Sequence, residues 1–315
     1  MLTLPIILLI VGLVLLYFGA EGLVKGASSL ALKLGITPLI VGLTVVSFGT
    51  SAPELLVCLL ATDDVSVGNI IGSNIANIAL ILGVAALVRP IQVQARAVRR
   101  EFPVMVAASA LFMLLAMDGR LTRLDAGILI LGIILYLVYT FFEARKDMQR
   151  VEELLGDDLA NLDIEKSSRL RDVLLVLGGI VGLAAGAQLM VSSAIEIALY
   201  FNISELVIGI TIVAIGTSLP ELATSTIASY RDEADISVGN VIGSNIFNVL
   251  LVLGVVAMVR PLDVGADAVS IDLWVMMAIT IGIWPLLRSG HVLRRWEGAL
   301  LVIVYVAYMI SLFMR

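Results

Sequence analysis

The chain has 315 residues, of which 60% are hydrophobic and 15% are charged. Because a soluble domain carries about 25% charged residues, this composition excludes a soluble globular protein and predicts an all-α polytopic membrane protein. The formal net charge of −6 identifies no partner, and we expect no nucleic-acid partner because no motif for nucleic acid or phosphate occurs. A single cysteine excludes an intramolecular disulfide.

Ten apolar segments are candidates to cross a membrane, which takes about 20 residues. They cover roughly residues 4–24, 37–60, 66–88, 102–118, 125–142, 172–191, 205–229, 237–259, 271–287 and 297–314. The first lacks a basic n-region and a cleavage site, so we expect it to be retained. Gly, Pro, Ser, Thr and Asn interrupt the second, third, seventh and eighth segments. Such interruptions are tolerated at membrane depth where protein or a polar cavity covers the backbone, so these four predict the functional site.

The basic residues fall mainly on one side of the predicted membrane. Sixteen lie there: Lys25, Lys33, Arg89, Arg96, Arg99, Arg100, Arg145, Lys146, Arg150, Lys166, Arg169, Arg171, Arg231, Arg288, Arg294 and Arg295. Four lie opposite: Arg120, Arg123, Arg260 and Arg315. The positive-inside rule makes the first side cytoplasmic. We therefore expect a multi-pass protein of the cell inner membrane, with both termini outside and the acidic connector 143–171 inside.

Two sequence blocks occur twice. Gly-Thr-Ser-x-Pro-Glu at 49–54 returns at 216–221, an offset of 167, and the Ser-Val-Gly-Asn block at 66–77 returns at 237–248, an offset of 171. Four residues are therefore missing from the first half between the two blocks. Each half has five predicted spans, and an odd number inverts the second half relative to the first. The predicted fold is ten transmembrane helices in two inverted-topology five-helix repeats, 1–142 (motif 47–77) and 172–315 (motif 214–248), joined by the linker 143–171.

The two blocks place Glu54 and Glu221 inside apolar segments, directly after Pro53 and Pro220. A charged side chain inside a membrane span is costly and is by default functional. A proline there breaks the helix and leaves the carbonyl four residues earlier without its donor. Carboxylates, hydroxyls and carbonyls together suit a hard cation such as Ca²⁺ or Na⁺, and the lack of thiolates and imidazoles argues against zinc or copper. The alternative for either glutamate is an ion pair or an interhelical hydrogen bond.

Polar side chains beside the two glutamates are further candidate ligands. They are Thr50, Ser51, Thr217, Ser218, Ser73, Ser244, Asn77 and Asn248. The hydroxyls could instead bond back to their own helices. Each Ser-Asn pair is spaced four residues apart and shares one helix face. Asn74 and Asn245 are equally compatible with helix–helix glue.

Outside this segment, Glu21 and Lys25 are spaced i, i+4. We expect them to pair with each other or to reach the membrane surface.

The doubled blocks resemble the α-repeats of the sodium/calcium exchanger family, within the cation/calcium antiporter superfamily, in its compact prokaryotic form. The resemblance covers the whole chain and implies a transporter without enzymatic activity or cofactor, which exchanges Na⁺ for Ca²⁺ by alternating access. It implies Glu54 and Glu221 as shared central ligands, with the carbonyls of Thr50 and Thr217 completing the Ca²⁺ site. It implies flanking Na⁺ sites lined by Ser51 with Ser73 and by Ser218 with Ser244, joined by backbone oxygens of Ser47 and Ala214, with Asn77 and Asn248 beside the middle site. The first and sixth spans would slide across the rest.

Two departures from that family's pattern stand in the first half. Cys58 occupies the position that matches Ser225, and the missing four residues remove about one helical turn after Glu54. With neutral Asn77 and Asn248, the charge count predicts electrogenic exchange. The resemblance implies independence of K⁺, because potassium-dependent relatives typically carry an Asp at the place of Asn248. The alternatives are a Ca²⁺/H⁺ antiporter, because buried carboxylates also bind protons, and a non-transporting membrane scaffold or ion sensor. We expect a monomer in the lipid bilayer.

Overall fold

The computed structural model describes residues 2–61, 63–155, 169–201 and 214–314. Residues 156–168 of the predicted linker, including Lys166, lie outside the described residues, as do 205–213 of the predicted seventh span and the terminal Arg315.

Long helices make up nearly all of the described chain. In the first half they are α1 (Thr3–Leu34), α2 (38–50), α3 (Ala52–Leu60), α4 (63–88), α5 (97–116) and α6 (Arg123–Leu155). In the second half they are α7 (Arg169–Tyr200), α8 (Ala214–Gly216), α9 (Leu219–Tyr230), α10 (Ala234–Val259), α11 (Ala268–Arg288) and α12 (Arg295–Phe313). Four two-residue strands lie in the loops: β1 (Ile91–Gln92), β2 (Arg120–Leu121), β3 (Leu262–Asp263) and β4 (Val292–Leu293).

Among the described residues, eight helices are long and apolar enough to cross a membrane. This agrees with the predicted polytopic membrane class. The predicted fourth span corresponds to α5, whose regular part, Phe102–Ala116, has 15 residues. Helix α6 continues to Leu155, well past the predicted end at 142. Residues 143–155 contain no Gly or Pro and are mostly good helix formers, so the helix extends into the first part of the linker.

Helices α4 and α10 form the centre of the molecule. In their most apolar windows, 78% and 83% of the residues are buried, against 28% in α1 and in α7. A helix that is buried on all sides needs no lipid-facing stripe, which lets α4 and α10 carry polar residues toward each other. The duplicated Ser-Val-Gly-Asn blocks lie on these two helices.

Helices α1 and α7 pack against each other at the periphery. They share an apolar cluster that is separate from the main core. Glycines let their backbones approach closely: a Cβ on Gly19 would lie 2.8 Å from the Leu183 backbone N, and one on Gly186 would lie 2.8 Å from the Gly12 carbonyl O. A buried Lys33–Asp172 ion pair joins their ends. The two helices therefore form one unit alongside the core.

The short strands join loops from the two halves. Strand β1 pairs antiparallel with β4, and β2 pairs antiparallel with β3. Each pairing joins loops that the predicted topology places on the same side of the membrane. The two halves are thus connected at both ends of the bundle as well as through α4 and α10.

Candidate cation-binding site

Each half contains one helix break at the Gly-Thr-Ser-x-Pro-Glu motif. Ser51 (φ −85°, ψ 3°) interrupts the path between α2 and α3, and Ser218 (φ −93°, ψ 7°) interrupts it before α9. A proline follows within the first two positions of each new helix, where its missing N–H does no harm. Glu54 and Glu221 therefore stand in the first turn of α3 and α9, where the helix dipole favours a carboxylate.

The two glutamates are fully buried and close enough to act on each other electrostatically. Neither carboxylate oxygen of Glu54 has a hydrogen-bond donor among the described residues. The Ser51 hydroxyl donates to Glu221 Oε1 at 3.2 Å, while Glu221 Oε2 has no donor in the described chain. A buried charge without partners is strongly unfavourable. The arrangement fits two carboxylates that share a cation.

The amides of Asn77 and Asn248 add two more acceptor oxygens. Both side chains are buried, and the Oδ1 atom of each has no donor among the residues described. Their NH₂ groups are occupied: Asn77 Nδ2 donates to Asn245 Oδ1 at 2.9 Å, and Asn248 Nδ2 donates to Asn74 Oδ1 at 3.3 Å. The NH₂ group of each amide is therefore bonded, while its Oδ1 atom stays available to a cation.

Both asparagines coincide with irregular helix geometry. Asn77 lies in the π-helical turn Ala76–Ile81 of α4, and Asn248 begins the π-helical turn Asn248–Leu253 of α10. Such turns are rare in helices and occur frequently at functional sites. Their presence at repeat-equivalent positions supports a common role for the two amides.

The hydroxyl contacts cross between the halves in a sense that the sequence did not predict. The resemblance grouped Ser51 with Ser73 and Ser218 with Ser244. In the structure the Ser218 hydroxyl donates to Ser73 Oγ at 3.2 Å, whereas Ser244 Oγ lies 3.5 Å from Thr50 Oγ1. Each of these two contacts joins the broken helix of one half to the central helix of the other.

The hydroxyls of Thr50 and Thr217 bond to asparagine side chains of the central helices. Thr50 Oγ1 donates to Asn240 Oδ1 at 3.1 Å, and Thr217 Oγ1 donates to Asn69 Oδ1 at 3.2 Å. These contacts hold the side chains, so the threonine group left for a cation is the backbone carbonyl. That arrangement is compatible with the role implied by the resemblance.

Ser47 and Ala214 are repeat-equivalent positions, 167 residues apart. The Ser47 hydroxyl donates to the carbonyls of Gly42 at 2.6 Å and Asn240 at 3.0 Å, which ties α2 to α10. The Ser47 carbonyl accepts from the Ser51 backbone N–H at 2.9 Å. Ala214 is the first residue described after the gap at 202–213.

Asn69 and Asn240 are the residues at this site that sequence reasoning missed. The sequence does carry a signal for them. Asn69, Ser73 and Asn77 are spaced i, i+4, i+8 on α4, and α10 repeats the same pattern with Asn240, so each asparagine shares the helix face of the predicted ligands.

The expected Glu21–Lys25 pair is not formed. Glu21 instead pairs with Arg231, whose Nε lies 3.0 Å from Glu21 Oε2. Spacing along one helix could not reveal this partner, because Arg231 follows α9 in the other half.

Comparisons with known proteins agree with this fold. The family model described as sodium/calcium exchanger protein matches residues 4–142 and 172–314. The putative antiporter CaxA of Alkalimonas amylolytica is 42% identical over 98% of both chains, and the inner membrane protein YrbG of Escherichia coli is 41% identical over 97% of this chain and 96% of its own. A solved structure of the sodium-calcium exchanger NCX_Mj superposes with a TM-score of 0.85 at 31% identity, covering 99% of this chain and 100% of that one. The chain belongs to the sodium/calcium exchanger family and is a cation/calcium antiporter of the membrane, not an enzyme.

Proposed function

We propose that the protein exchanges Na⁺ for Ca²⁺ across the cell inner membrane by alternating access. The observation that carries this proposal is the set of buried acceptor oxygens without donors on Glu54, Glu221, Asn77 and Asn248. Buried polar groups are normally satisfied, and acceptors alone, with no donor pointing at them, are what a hard cation requires.

The proposed central site uses Glu54, Glu221 and the carbonyls of Thr50 and Thr217. Two carboxylates balance one Ca²⁺, and the neighbouring Asn77 and Asn248 add oxygen without charge. Among the described residues, no group of three or more His, Cys, Asp or Glu side chains is arranged to hold a metal. The cation would therefore depend on hydroxyl, amide and backbone oxygens, which suits Ca²⁺ and Na⁺ rather than a transition metal.

The proposed flanking Na⁺ sites follow the hydroxyl contacts. One combines Ser73 with Ser218 and the Ala214 carbonyl, and the other combines Ser244 with Ser51 and the Ser47 carbonyl. The Ser218–Ser73 hydrogen bond supports the first set, and the contact of Ser244 Oγ with Thr50 Oγ1, next to Ser51 in the chain, supports the second. Each set lies beside the shared carboxylates, so Na⁺ and Ca²⁺ would compete for Glu54 and Glu221, as exchange requires.

Access would alternate by movement of α1 and α7 across the core. Their separate apolar cluster and their glycine-lined contact support a rigid pair that can shift without disturbing α4 and α10. The sixteen-to-four division of basic residues supports termini outside and the linker 143–171 in the cytoplasm. In a Cys58→Ala background, a cysteine at position 120 should label from outside only, and one at position 158 from the cytoplasm only.

Three Na⁺ exchanged for one Ca²⁺ would move one net positive charge. The membrane potential would then contribute about 2.3 kcal/mol per charge per 100 mV. The neutral amide of Asn248 supports transport that needs no K⁺. The second candidate is Ca²⁺/H⁺ antiport, because the carboxylate oxygens of Glu54 that lack donors could equally accept a proton.

Radiolabelled Ca²⁺ uptake into proteoliposomes tests both candidates. Vesicles are loaded with Na⁺ or with choline, under a pH gradient or none, and the potential is clamped with valinomycin. We expect uptake only with internal Na⁺ and faster uptake when the inside is positive. Na⁺-loaded vesicles in which choline replaces K⁺, at zero applied potential, serve as the K⁺-free control. Uptake driven by the pH gradient alone would favour the proton antiporter, and uptake that requires K⁺ or ignores potential would contradict the charge assignment.

A further inference from the structure

A second layer of polar side chains surrounds the candidate ligands. Asn74 and Asn245 lie on α4 and α10 and are almost fully buried. Each accepts a hydrogen bond from the opposite half: Asn245 from Asn77 at 2.9 Å, and Asn74 from Asn248 at 3.3 Å. The two contacts are equivalent under the internal repeat, so this layer is duplicated together with the ligands.

An amide side chain can present either its oxygen or its NH₂ group to a neighbour. Only the oxygen can bind a cation, and an NH₂ group turned toward the ion would repel it. Because Asn74 and Asn245 offer carbonyl oxygens, they take the NH₂ groups of Asn248 and Asn77. The Oδ1 atoms of Asn77 and Asn248 then point away from the contact and have no donor among the described residues.

The outer asparagines have their own fixed orientation. Asn245 Nδ2 lies 3.4 Å from the Met105 sulfur and 3.5 Å from the Asn74 carbonyl O. Asn74 Nδ2 lies 3.8 Å from the Met276 sulfur. A thioether is an acceptor and never a donor, so each methionine favours the NH₂ end of the outer amide and leaves its oxygen facing inward. Met105 and Met276 are themselves 171 residues apart.

We propose that Asn74 and Asn245 are positioning residues that hold the amide oxygens of Asn248 and Asn77 toward the transported cation. This inference rests on the proposed cation site. It differs from simple helix–helix glue because glue requires only that each amide be satisfied. A positioning role also requires that the amide end left without a protein partner be the oxygen, as it is in both halves.

The test measures Ca²⁺ binding to the full-length purified protein by calorimetry in Na⁺-free choline buffer. Asn74→Leu keeps similar volume but offers no acceptor to the Asn248 NH₂ group. We expect its Ca²⁺ affinity to fall about 10- to 100-fold, as is typical when residues that orient a metal ligand are lost. Thr140→Val is the control, because that buried hydroxyl bonds only to the Tyr136 carbonyl of its own helix among the described contacts. It should bind Ca²⁺ as the wild type does.

Two backgrounds separate positioning from a structural role. In Asn248→Leu, adding Asn74→Leu should cost nothing more, because no amide remains to be oriented. In Asn248→Asp, it should also cost little, because both ends of a carboxylate are oxygen. Equal losses in all backgrounds, or no loss in Asn74→Leu itself, would overturn the inference.

Folding and the underlying site are checked separately. If Asn74→Leu does not fold, Asn74→Ala removes the same acceptor with less bulk and carries the same expectations. If the wild type binds no Ca²⁺, the proposed function fails first. If the wild type binds and Asn74→Leu binds equally well, only the positioning role fails.

Discussion

The two halves of the molecule agree at the cation site and differ at its approaches. Near the carboxylates, the contacts of Asn77, Thr217 and Asn74 have counterparts in Asn248, Thr50 and Asn245. At the periphery, α1 packs along α9, whereas the equivalent described helices α7 and α3 make hardly any contact. An inverted repeat places these two contacts on opposite sides of the membrane. The candidate site is therefore symmetric, while the packing of the α1–α7 pair on the broken helices is one-sided.

Specific side chains explain why α1, and not α7, makes this contact. Glu21 of α1 pairs with Arg231, and the Ser28 hydroxyl donates to Glu233 Oε1 at 2.6 Å. The repeat-equivalent positions on α7 are Gln188 and Ile195, which cannot form the same ion pair and hydrogen bond. The loop they would meet is also the one shortened by four residues. The polar contact between the α1–α7 pair and the core is thus found in one half, among the described residues.

The largest effect should come from the symmetric centre. Glu54→Gln and Glu221→Gln keep the size of the side chain but remove one of two charges from a divalent site. Each should abolish gradient-driven Ca²⁺ flux, and the two losses should be alike. Uptake into proteoliposomes measures this, with Glu196→Gln as the control because that carboxylate is exposed on α7. Near-normal uptake by either central variant would refute the shared site.

A smaller, ion-selective effect is expected from the hydroxyls. Ser218→Ala and Ser244→Ala each remove a neutral oxygen, so each should weaken Na⁺ dependence about tenfold, as for loss of a hydrogen bond to a charged group, and weaken Ca²⁺ binding less. Because Ser218 contacts Ser73 and Ser244 contacts Thr50, Ser218→Ala with Ser73→Ala should be non-additive. Ser218→Ala with Ser244→Ala should be closer to additive. Binding isotherms of each variant for Na⁺ and for Ca²⁺ measure these effects. Equal losses of affinity for the two ions would argue against separate flanking sites.

The contact between Glu21 and Arg231 predicts a smaller effect, on the position of α1 relative to α9. Glu21→Gln should loosen α1 from α9 and raise cytoplasmic labelling of a cysteine at Ala228, which is buried in the cluster that α1 shares with α9. The increase should be a few fold, because exposed ion pairs are weak. Gln188→Glu on α7 is the matched control and should change nothing, because the repeat counterpart of Arg231 is Asp64 or Leu60 by the two offsets, neither of which is basic. All labelling uses a Cys58→Ala background. Unchanged labelling of Glu21→Gln would show that the Glu21–Arg231 pair does not hold α1 against α9.

The sequence predicted this symmetric centre better than the asymmetric periphery. Repeat offsets identify equivalent residues, so Glu54, Glu221 and the two central asparagines could be found without a structure. Offsets do not say which helix faces which, so the Ser218–Ser73 contact and the Glu21–Arg231 pair could not be predicted. The extension of α6 to Leu155 was missed for another reason. The end of an apolar segment marks the end of a membrane span, not of a helix. The polar residues after 142 continue the helix by propensity alone.

The smallest expected effect concerns the difference between Cys58 and its counterpart Ser225. Asn69 Nδ2 lies 3.5 Å from the Cys58 sulfur, while its counterpart Asn240 donates to the Ser225 hydroxyl at 3.0 Å. A thiol is a weaker acceptor than a hydroxyl. Asn69, which accepts from Thr217, is therefore held less firmly than Asn240, which accepts from Thr50.

Cys58→Ser should strengthen the hydrogen bond from Asn69. A hydroxyl at this buried position finds the Asn69 NH₂ group and the Ser66 carbonyl already in place. A net hydrogen bond contributes about 0.5–1.5 kcal/mol, partly offset by the smaller volume of serine. We expect equal or slightly higher thermal stability and nearly unchanged Ca²⁺ affinity. Ser225→Cys should be destabilised by a similar amount, and the double variant should return toward the wild type. Thermal unfolding of the four proteins in one detergent measures this order. A Cys58→Ser variant less stable than Ser225→Cys would mean that packing of the sulfur, not its weak acceptance of the Asn69 amide, determines the difference between the halves.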